Sequence, residues 1–295
     1  MEALRIDERP SLRNPVVLLA FAGWNDAGGA ATYAIQFLIR SLGGRKFASI
    51  DPEEFYDFST LRPRVQLREG IFREIIWPAN EFFHAHRTGS GDDLIFGLGI
   101  EPHLKWKTYA GAIVDLAREF KATMVLTLGA LLADVIYSRP TQVSGFSGDP
   151  ALAARLELTP SRYEGPTGIV GVTNDACRRA GIPSASFWAN VPHYVPVSPN
   201  PKAACALLRR LASLVQLSLD LSELEASAKE FDVRLAEAVA RNADVASYVK
   251  QLEERAETEA AEEGQRHGNG GNGHGSANDF EDELPRVPRR KREGD

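Results

Sequence analysis

The sequence predicts an α/β fold in which a mainly parallel sheet carries helices on both faces. Short apolar runs, typical of strands buried on both faces, recur along the chain. Through residue 128 these runs alternate with stretches whose apolar residues recur at helical spacing. The composition agrees with this fold class, because 43% of the 295 residues are hydrophobic and 25% are charged, as in ordinary globular proteins.

The first predicted unit is a strand, a turn and a helix. Proline and glycine bound the apolar run at residues 14–23, as they commonly bound a buried strand, and a glycine-rich turn follows at residues 24–29. A helical pattern then extends to the glycine pair at residues 43–44. Asn25 or Asp26 is suited to cap this helix, because a short oxygen-bearing side chain can accept from free backbone N–H groups.

The same alternation continues along the chain until an irregular stretch interrupts it. Residues 129–148 show weak periodicity, and such a stretch inside a compact domain is uncommon and often functional. The other strands are predicted at residues 71–77, 93–99, 123–128 and 184–188. The other helices are predicted to begin at Glu101-Pro102, Asp149-Pro150, Thr167 and Asn200-Pro201.

Beyond residue 218 the pattern changes to apolar residues spaced alternately three and four apart, as in a coiled coil or a helical hairpin. Asn242 interrupts this pattern, either to set the register of one helix or to begin a second helix, and we favour the second interpretation. Residues 219–263 carry 13 acidic and 5 basic residues. Residues 264–295 are rich in glycine, asparagine and charge, which predicts disorder. The predicted division is a core at 1–218, an acidic helical extension at 219–263 and a disordered tail at 264–295.

Several classes of protein are excluded at this point. The core up to residue 218 is close to electrically neutral, which disfavours nucleic-acid binding. No apolar run approaches the length of a membrane span, and the start of the chain lacks the apolar stretch of a signal peptide. The two cysteines, Cys177 and Cys205, match no metal or redox spacing, so a cytoplasmic protein is expected.

Motifs for catalysis, cofactors and metals are also missing. The sequence contains no phosphate-binding P-loop and no complete dinucleotide fingerprint. Ser147 lies in a GFSGD segment that departs from the G-x-S-x-G nucleophile elbow. His84 and His86 share one face of a strand but have no evident third ligand. We therefore expect no catalytic residues, no cofactor and no metal.

Three turns and the irregular stretch remain as candidate ligand sites. The carboxyl ends of parallel strands and the helix N-termini that follow them commonly bind ligands. Each candidate also has a structural interpretation. Asp26 can simply cap a helix. His193 can be a packed loop residue instead of a general base, and Arg139 can join an interface instead of binding an anion. The residues that would line such a cleft are Trp24, Asn25, Asp26, Tyr137, Arg139, Thr167, Asn190 and His193.

Four segments, taken in order, resemble the PAC2 family of proteasome-assembly-chaperone-like proteins in its actinobacterial form. The resemblance extends from about Val16 to Leu252. The segments are residues 21–28 (FAGWNDAG), residues 128–135 (LGALLADV) with Arg139-Pro140, residues 163–169 (YEGPTGI), and residues 188–194 (WANVPHY) with residues 199–201 (PNP).

The resemblance implies a three-layer α/β/α sandwich, similar to the phosphorylase/hydrolase-like fold, with a C-terminal helical extension and self-association. For archaeal and eukaryotic relatives it implies a role in proteasome assembly, in which a hydrophobic-Tyr-any C-terminus docks on the proteasome. This sequence ends KREGD and departs from that pattern.

Two functions therefore stand as hypotheses. The first is a non-enzymatic, cytoplasmic homo-oligomer, a closed ring such as a trimer, that acts as an assembly chaperone or scaffold for a protein client or proteasome subunits. The alternative is a small-molecule enzyme or binding protein that uses a strand-end cleft for a nucleoside-like or anionic ligand. The missing catalytic set favours the first.

Overall fold

The protein is a three-layer sandwich with an eight-stranded sheet between two layers of helices, as predicted. The computed structural model describes residues 3–68, 72–87, 91–158, 163–194 and 197–268. The strands are β1 (Leu4–Ile6), β2 (Val16–Ala22), β3 (Arg45–Ile50), β4 (Arg64–Arg68), β5 (Phe72–Ile76), β6 (Asn80–Ala85), β7 (Leu94–Ile100), β8 (Met124–Ala133), β9 (Val143–Phe146) and β10 (Ser184–Pro192). The helices are α1 (Ala30–Ser41), α2 (Trp106–Glu119), α3 (Pro150–Arg155), α4 (Ile169–Arg179), α5 (Pro201–Leu214), α6 (Ser222–Ala240) and α7 (Ala243–Gly268).

The sheet is parallel only at its centre, although the sequence predicted a mainly parallel sheet. Its strand order is β1-β3-β6-β7-β2-β8-β10-β9, and the pairs among β7, β2, β8 and β10 are parallel. The remaining pairs are antiparallel. Short connections without helices, such as the one between β6 and β7, give antiparallel neighbours. The three-residue β1 and the four-residue β9 form the two edges.

Two apolar layers, one on each face of the sheet, hold the sandwich together. On one face α1 and α5 cover the central strands, and Cys205 lies there as a buried free thiol. On the other face α2 and α4 cover them, and Cys177 is the buried free thiol. Tyr109 of α2 is fully buried between the rings of Phe21 and Phe55, with ring centroids 6.0 and 5.4 Å away.

Helices α6 and α7, named here the acidic arm, form the predicted pair of helices with a break at Asn242. The Asn242 side chain accepts from the backbone N–H groups of Asp244 and Val245 and so caps α7. Phe231, Leu235, Val239 and Val249 form a small apolar cluster of their own, which packs against Tyr137 and Tyr194 of the core. This contact fixes the arm to the core near the carboxyl ends of β8 and β10.

Strands β4 and β5, named here the hairpin, form a separate two-stranded sheet. Every described residue of both strands is exposed. The sequence predicted the β5 strand but not β4. The hairpin therefore has neither face buried against the rest of this chain.

The ends of the predicted divisions are only partly described. Helix α7 extends to Gly268, and residues 269–295, which make up most of the predicted disordered tail, lie outside the described residues. Within the described part of the chain, no helix has the length and apolar character that crossing a membrane requires.

Candidate functional site

The turns singled out in the sequence all meet at one edge of the sheet, named here the carboxyl rim. Strands β2, β7, β8 and β10 are parallel, so the turns that follow them lie at the same edge. Strand β3 ends at this rim too, because β3 and β7 are each antiparallel to β6. The segment between β3 and β6, which includes the hairpin, therefore also leaves the sheet at the carboxyl rim.

A junction around Glu101 connects three segments at the centre of the rim. The Asn25 side chain, 1% exposed, donates from Nδ2 to Glu101 Oε1 at 2.6 Å. The same oxygen accepts from the backbone N–H of Ile169 at 2.8 Å, at the first residue of α4. A side chain at Gly168 would collide with the Asn25 amide and the Glu101 carboxylate. Glu101 therefore caps α4 from a different turn and places a negative charge at its N-terminus.

Asp26 is buried and caps α1 rather than facing the rim. One carboxylate oxygen accepts from the backbone N–H of Ala31 at 2.7 Å, and the Thr32 hydroxyl donates to the other. A single turn of 3₁₀ helix at Ala27–Gly29 lies between Asp26 and α1, with Gly28 and Gly29 at a φ of +61°. Burial raises the pKa of the Asp26 carboxyl above its usual 3.8, although its hydrogen bonds oppose this shift.

Replacing Asp26 by asparagine will flatten the dependence of stability on pH. In the folded protein Asp26 keeps its proton at pH values where the unfolded chain, with a pKa of 3.8, has released it. Stability is therefore lost as the pH rises from about 4 through the folded-state pKa. Asparagine stays neutral and can still accept from Ala31. Urea unfolding at pH 4, 5, 6 and 7 should show a smaller decline for Asp26→Asn. Asp149, the exposed cap of α3, is the control. If Asp149→Asn reduced the pH dependence of stability as much as Asp26→Asn, burial would not be the cause.

A second group of candidates lies where the rim meets the acidic arm. His193 Nδ1 is 2.9 Å from Asp134 Oδ1, and the Tyr248 hydroxyl of α7 donates to the same oxygen at 2.8 Å. The rings of His193, Tyr194 and Tyr248 contact one another edge to face, with centroids 5.4 to 5.6 Å apart. Burial and the Asp134 carboxylate raise the pKa of Tyr248 to about 12, so Tyr248 remains protonated and donates at neutral pH.

Tyr137 belongs to the same group through its backbone. Its N–H donates to the Tyr194 hydroxyl, which in turn donates to the carbonyl of Val135. The Lys202 ammonium donates to the Tyr137 carbonyl at 2.6 Å and pairs with Asp232 of α6 at 3.0 Å. The polar groups of this region therefore connect the core to the arm. The carboxylate and imidazole of Asp134 and His193 are arranged as in a general-base pair, but the ring is packed against the arm.

The remaining candidates are distributed along the rim. Trp24 follows β2 with 63% of its surface exposed. Thr167 and Arg139 are exposed, one just before α4 and the other in the turn after β8. Asn190 lies within β10, and its backbone N–H donates to the carbonyl of Gln142. The structure thus brings Asn25 close to the start of α4. It also places His193 beside Tyr194, whose hydroxyl accepts from the Tyr137 N–H.

Two of the cavities among the described residues have linings that include none of the eight candidates. The one at the rim has a volume of about 220 Å³ and lies between α1 and the ends of β6 and β7. The other, about 280 Å³, lies between α1 and the segment leading into α6. Both are smaller than the ~300–1,000 Å³ typical of small-molecule sites. Among the residues that the structure describes, no group of three or more His, Cys, Asp or Glu side chains could hold a metal ion.

The chain matches the model of one protein family, described as the PAC2 family, over residues 20–259. The chain belongs to the PAC2 family. A crystal structure of a PAC2 family protein from Streptomyces avermitilis is 43% identical to it. The superposition covers 80% of this chain and 99% of that chain, with a TM-score of 0.75.

Two further solved structures extend the comparison. A proteasome-assembly chaperone homologue from Mycobacterium tuberculosis is 41% identical, covers 79% of this chain and 99% of its own, and has a TM-score of 0.73. An archaeal proteasome activator from Pyrococcus furiosus is 21% identical to this chain. The superposition covers 81% of this chain and 99% of that chain, and the two share the fold with a TM-score of 0.64. No curated protein matches the chain.

In this PAC2 chain some of the residues that organise the rim were not candidates from the sequence. Glu101 was interpreted only as the start of a helix, although α2 begins at Trp106. Asp134 lies in the segment 128–135 that carried the resemblance but was not a candidate, and Tyr248 was not singled out. A carboxylate directly after a buried strand is the one local signal that points to Glu101. Tyr248 gave no such signal, because its partner Asp134 is 114 residues away.

The exposed apolar side chains of the PAC2 chain are concentrated at the carboxyl rim. In the described part of the chain, all large exposed apolar side chains except Phe146 and Val233 lie on the rim turns or on the hairpin. Those on the rim turns and strand ends are Trp24, Leu104, Leu132, Tyr163 and Val197. Those on the hairpin and directly after it are Val65, Leu67, Phe72, Ile75, Ile76 and Trp77.

Proposed function

We propose that this PAC2 protein is a non-enzymatic assembly chaperone or scaffold that binds protein chains at its carboxyl rim. The observation that carries the proposal is the concentration of exposed apolar side chains on one edge of the sheet. Exposed apolar patches of this kind mark protein-binding surfaces, because water is released when a partner covers them. Apolar side chains scattered singly over a surface would carry no such meaning.

The polar residues of the rim support the same function. Asn25 and Asp26 are buried and engaged with Glu101 and α1, and His193 is engaged with Asp134. These side chains stabilise the rim and the attachment of the arm. The rim therefore offers a rigid platform with an apolar surface, as a protein-binding site requires.

The identity of the partner is proposed from the relatives. The M. tuberculosis protein that is 41% identical is described as a proteasome-assembly chaperone homologue. We infer that the clients of this chain include proteasome subunits, and that the chain works as a homo-oligomer, a closed ring such as a trimer. Two buried free cysteines, Cys177 and Cys205, support a reducing compartment such as the cytoplasm.

The proposal is tested by affinity purification of the tagged full-length chain from its native cells, followed by quantitative mass spectrometry. The parent should recover proteasome subunits, and the double variant Trp24→Ser/Leu132→Ser should lose them. Phe146→Ser is the matched control, because Phe146 is also exposed but lies away from the rim. Failure of the parent to recover a stable partner, or equal recovery by the rim variant, would refute the proposal.

The small-molecule alternative has less support, since neither of these two cavities is lined by the residues that were expected to bind a ligand. We expect that nucleosides, nucleotides and phosphate will not raise the melting temperature of the purified protein. A ligand that binds only the folded state would raise it. A saturable rise with any of these compounds, abolished by Asn25→Ala, would favour the alternative instead.

A further inference from the structure

We propose that the hairpin of one copy of this chain binds the acidic arm of a second copy, so that the chains assemble head to tail. This inference rests on the self-association included in the proposed function. It names the two surfaces that meet, and neither surface contains any of the eight candidate residues. Three features of the molecule support it: the unsupported hairpin, the opposite charges of the two surfaces and their positions on the sheet.

The hairpin is too exposed to be stable by itself. Six apolar side chains of this region, between residues 65 and 77, are 42% to 65% exposed. Over both faces of the hairpin, they present on the order of 600 Å² of apolar surface. A two-stranded hairpin without a covered face is at best marginally stable in water. A partner that covers the hairpin must be present whenever the chain itself is present. A second copy of the chain meets this condition.

One face of the hairpin is mainly apolar. Val65 is paired with Ile75, and Leu67 with Arg73, so these four side chains lie on the same face. The other face carries more charge, with Arg64 opposite Ile76 and Arg68 opposite Phe72. The whole segment from residue 62 to residue 77 contains four arginines and two glutamates. The hairpin is thus an apolar surface with a positive charge.

The acidic arm has the complementary character. Its segment at residues 219–263 contains 13 acidic and 5 basic residues. On α6, Glu230, Val233 and Glu237 are exposed and are spaced three and four residues apart, so they form one stripe. Val233 is a large apolar side chain of the arm and is 61% exposed. Glu237 is already paired with Arg241 at 3.2 Å. Val233 together with Glu230 fits an apolar face that carries Arg73.

The hairpin and the arm of one chain lie toward opposite ends of the sheet. The hairpin leaves from β3 and β6, near one edge, whereas the arm is fixed beside the ends of β8 and β10, near the other. Each copy therefore presents its hairpin to one neighbour and its arm to another. Such a head-to-tail contact closes into a ring when the rotation between copies permits.

Pairing of two hairpins with each other is the less favourable arrangement. Antiparallel pairing of β5 with β5 of the second copy about its centre would place Glu74 opposite Glu74. The same pairing of β4 would place Arg64 opposite Arg68 at both ends. Like charges directly opposite each other destabilise a pair of strands. The charges therefore favour the arm over a second hairpin.

The test measures the mass of the purified full-length protein by light scattering, without any client. The parent should be an oligomer, and Leu67→Asp/Ile75→Asp and Glu230→Arg/Glu237→Arg should each be monomeric. Gln66→Ser on the hairpin and Glu254→Arg on α7 are the matched controls and should keep the parent mass. Circular dichroism and urea unfolding verify that each variant is folded.

Mixing the two monomeric variants decides the geometry. Each variant retains one intact surface, so the mixture should form a 1:1 heterodimer through the single remaining pair of intact surfaces. A monomeric parent, or hairpin variants that keep the parent mass, would overturn the inference. So would arm variants that keep the parent mass, which points to hairpin–hairpin contacts, and so would a mixture that stays monomeric. If the hairpin variants keep their mass but lose client proteins, the hairpin binds clients instead, and the proposed function survives.

Discussion

Replacing Glu101 by alanine will lower the free energy of unfolding by about 2–4 kcal/mol. One carboxylate oxygen accepts hydrogen bonds from the buried Asn25 amide and from the first N–H of α4. Hydrogen bonds to a charged group contribute about 1.5–3 kcal/mol each, and a buried polar group left without a partner costs about 1–3 kcal/mol. The loss is measured by urea unfolding followed by circular dichroism.

Two variants separate this effect from a simple change of charge. Glu101→Gln keeps an oxygen that can accept hydrogen bonds but removes the charge. The free energy of unfolding should therefore fall by only about 1 kcal/mol, the contribution of a charge at a helix end. Glu54→Ala removes an exposed carboxylate that pairs with Lys105, and such pairs contribute less than about 1 kcal/mol. Equal losses for alanine and glutamine at position 101 would show that the hydrogen bonds do not stabilise the rim.

Replacing Phe231 by alanine will loosen the acidic arm where it meets the carboxyl rim. Phe231 is 4% exposed and belongs to the cluster that contacts Tyr137 and Tyr194. Truncation of a buried phenylalanine costs about 3–5 kcal/mol. Here the cost falls on the cluster that holds α7 and the end of α6, whereas Leu224 and the Arg209–Glu225 pair still hold the start of α6 on the core. Hydrogen exchange should therefore accelerate along α7 and the end of α6 while β2, β7 and β8 remain protected.

Arg234→Ala is the control for this prediction, because Arg234 is exposed on the same helix. It should leave the exchange of α6 and α7 within experimental error of the parent. Limited proteolysis gives an independent measurement, since the loosened arm of Phe231→Ala should be cleaved first. Uniform acceleration across the core and the arm would mean that the arm is an integral part of the domain and does not open separately.

The elements that could be predicted from the sequence are those whose pattern is set locally. Strands β2 and β7 are buried on both faces and read as continuous apolar runs. The helix starts at Asp149 and Asn200 were predicted from the residue types, and both side chains accept hydrogen bonds from the first turn. The break at Asn242 was favoured for the same local reason.

The elements that the sequence did not predict depend on distant partners. Strands β3 and β6 are half polar and short, and only their pairing with each other and with β7 identifies them. Strand β4 is exposed throughout, so no apolar alternation against a core marks it. Strand β8 extends to Ala133, beyond the predicted end at residue 128, because β10 pairs with it along that length.

The position of the candidate site was easier to predict than the contacts within it. The turn at Asn25 and Asp26 lies at the carboxyl end of β2, where strand-end turns were expected to meet. That Asn25 meets Glu101, 76 residues away, follows only from the assembled sheet. The same holds for His193 and Asp134, which lie at the ends of two neighbouring parallel strands.

The shortness of the two outer strands limits how copies of this protein can polymerise. An outer strand with free backbone groups invites addition of another chain, and a short one resists it. Strand β1 has three residues and β9 has four, so neither offers a template for an extended fibril. The main sheet is thus protected from open-ended growth, and a protein displaying so much apolar surface at its rim can accumulate without forming filaments through its core.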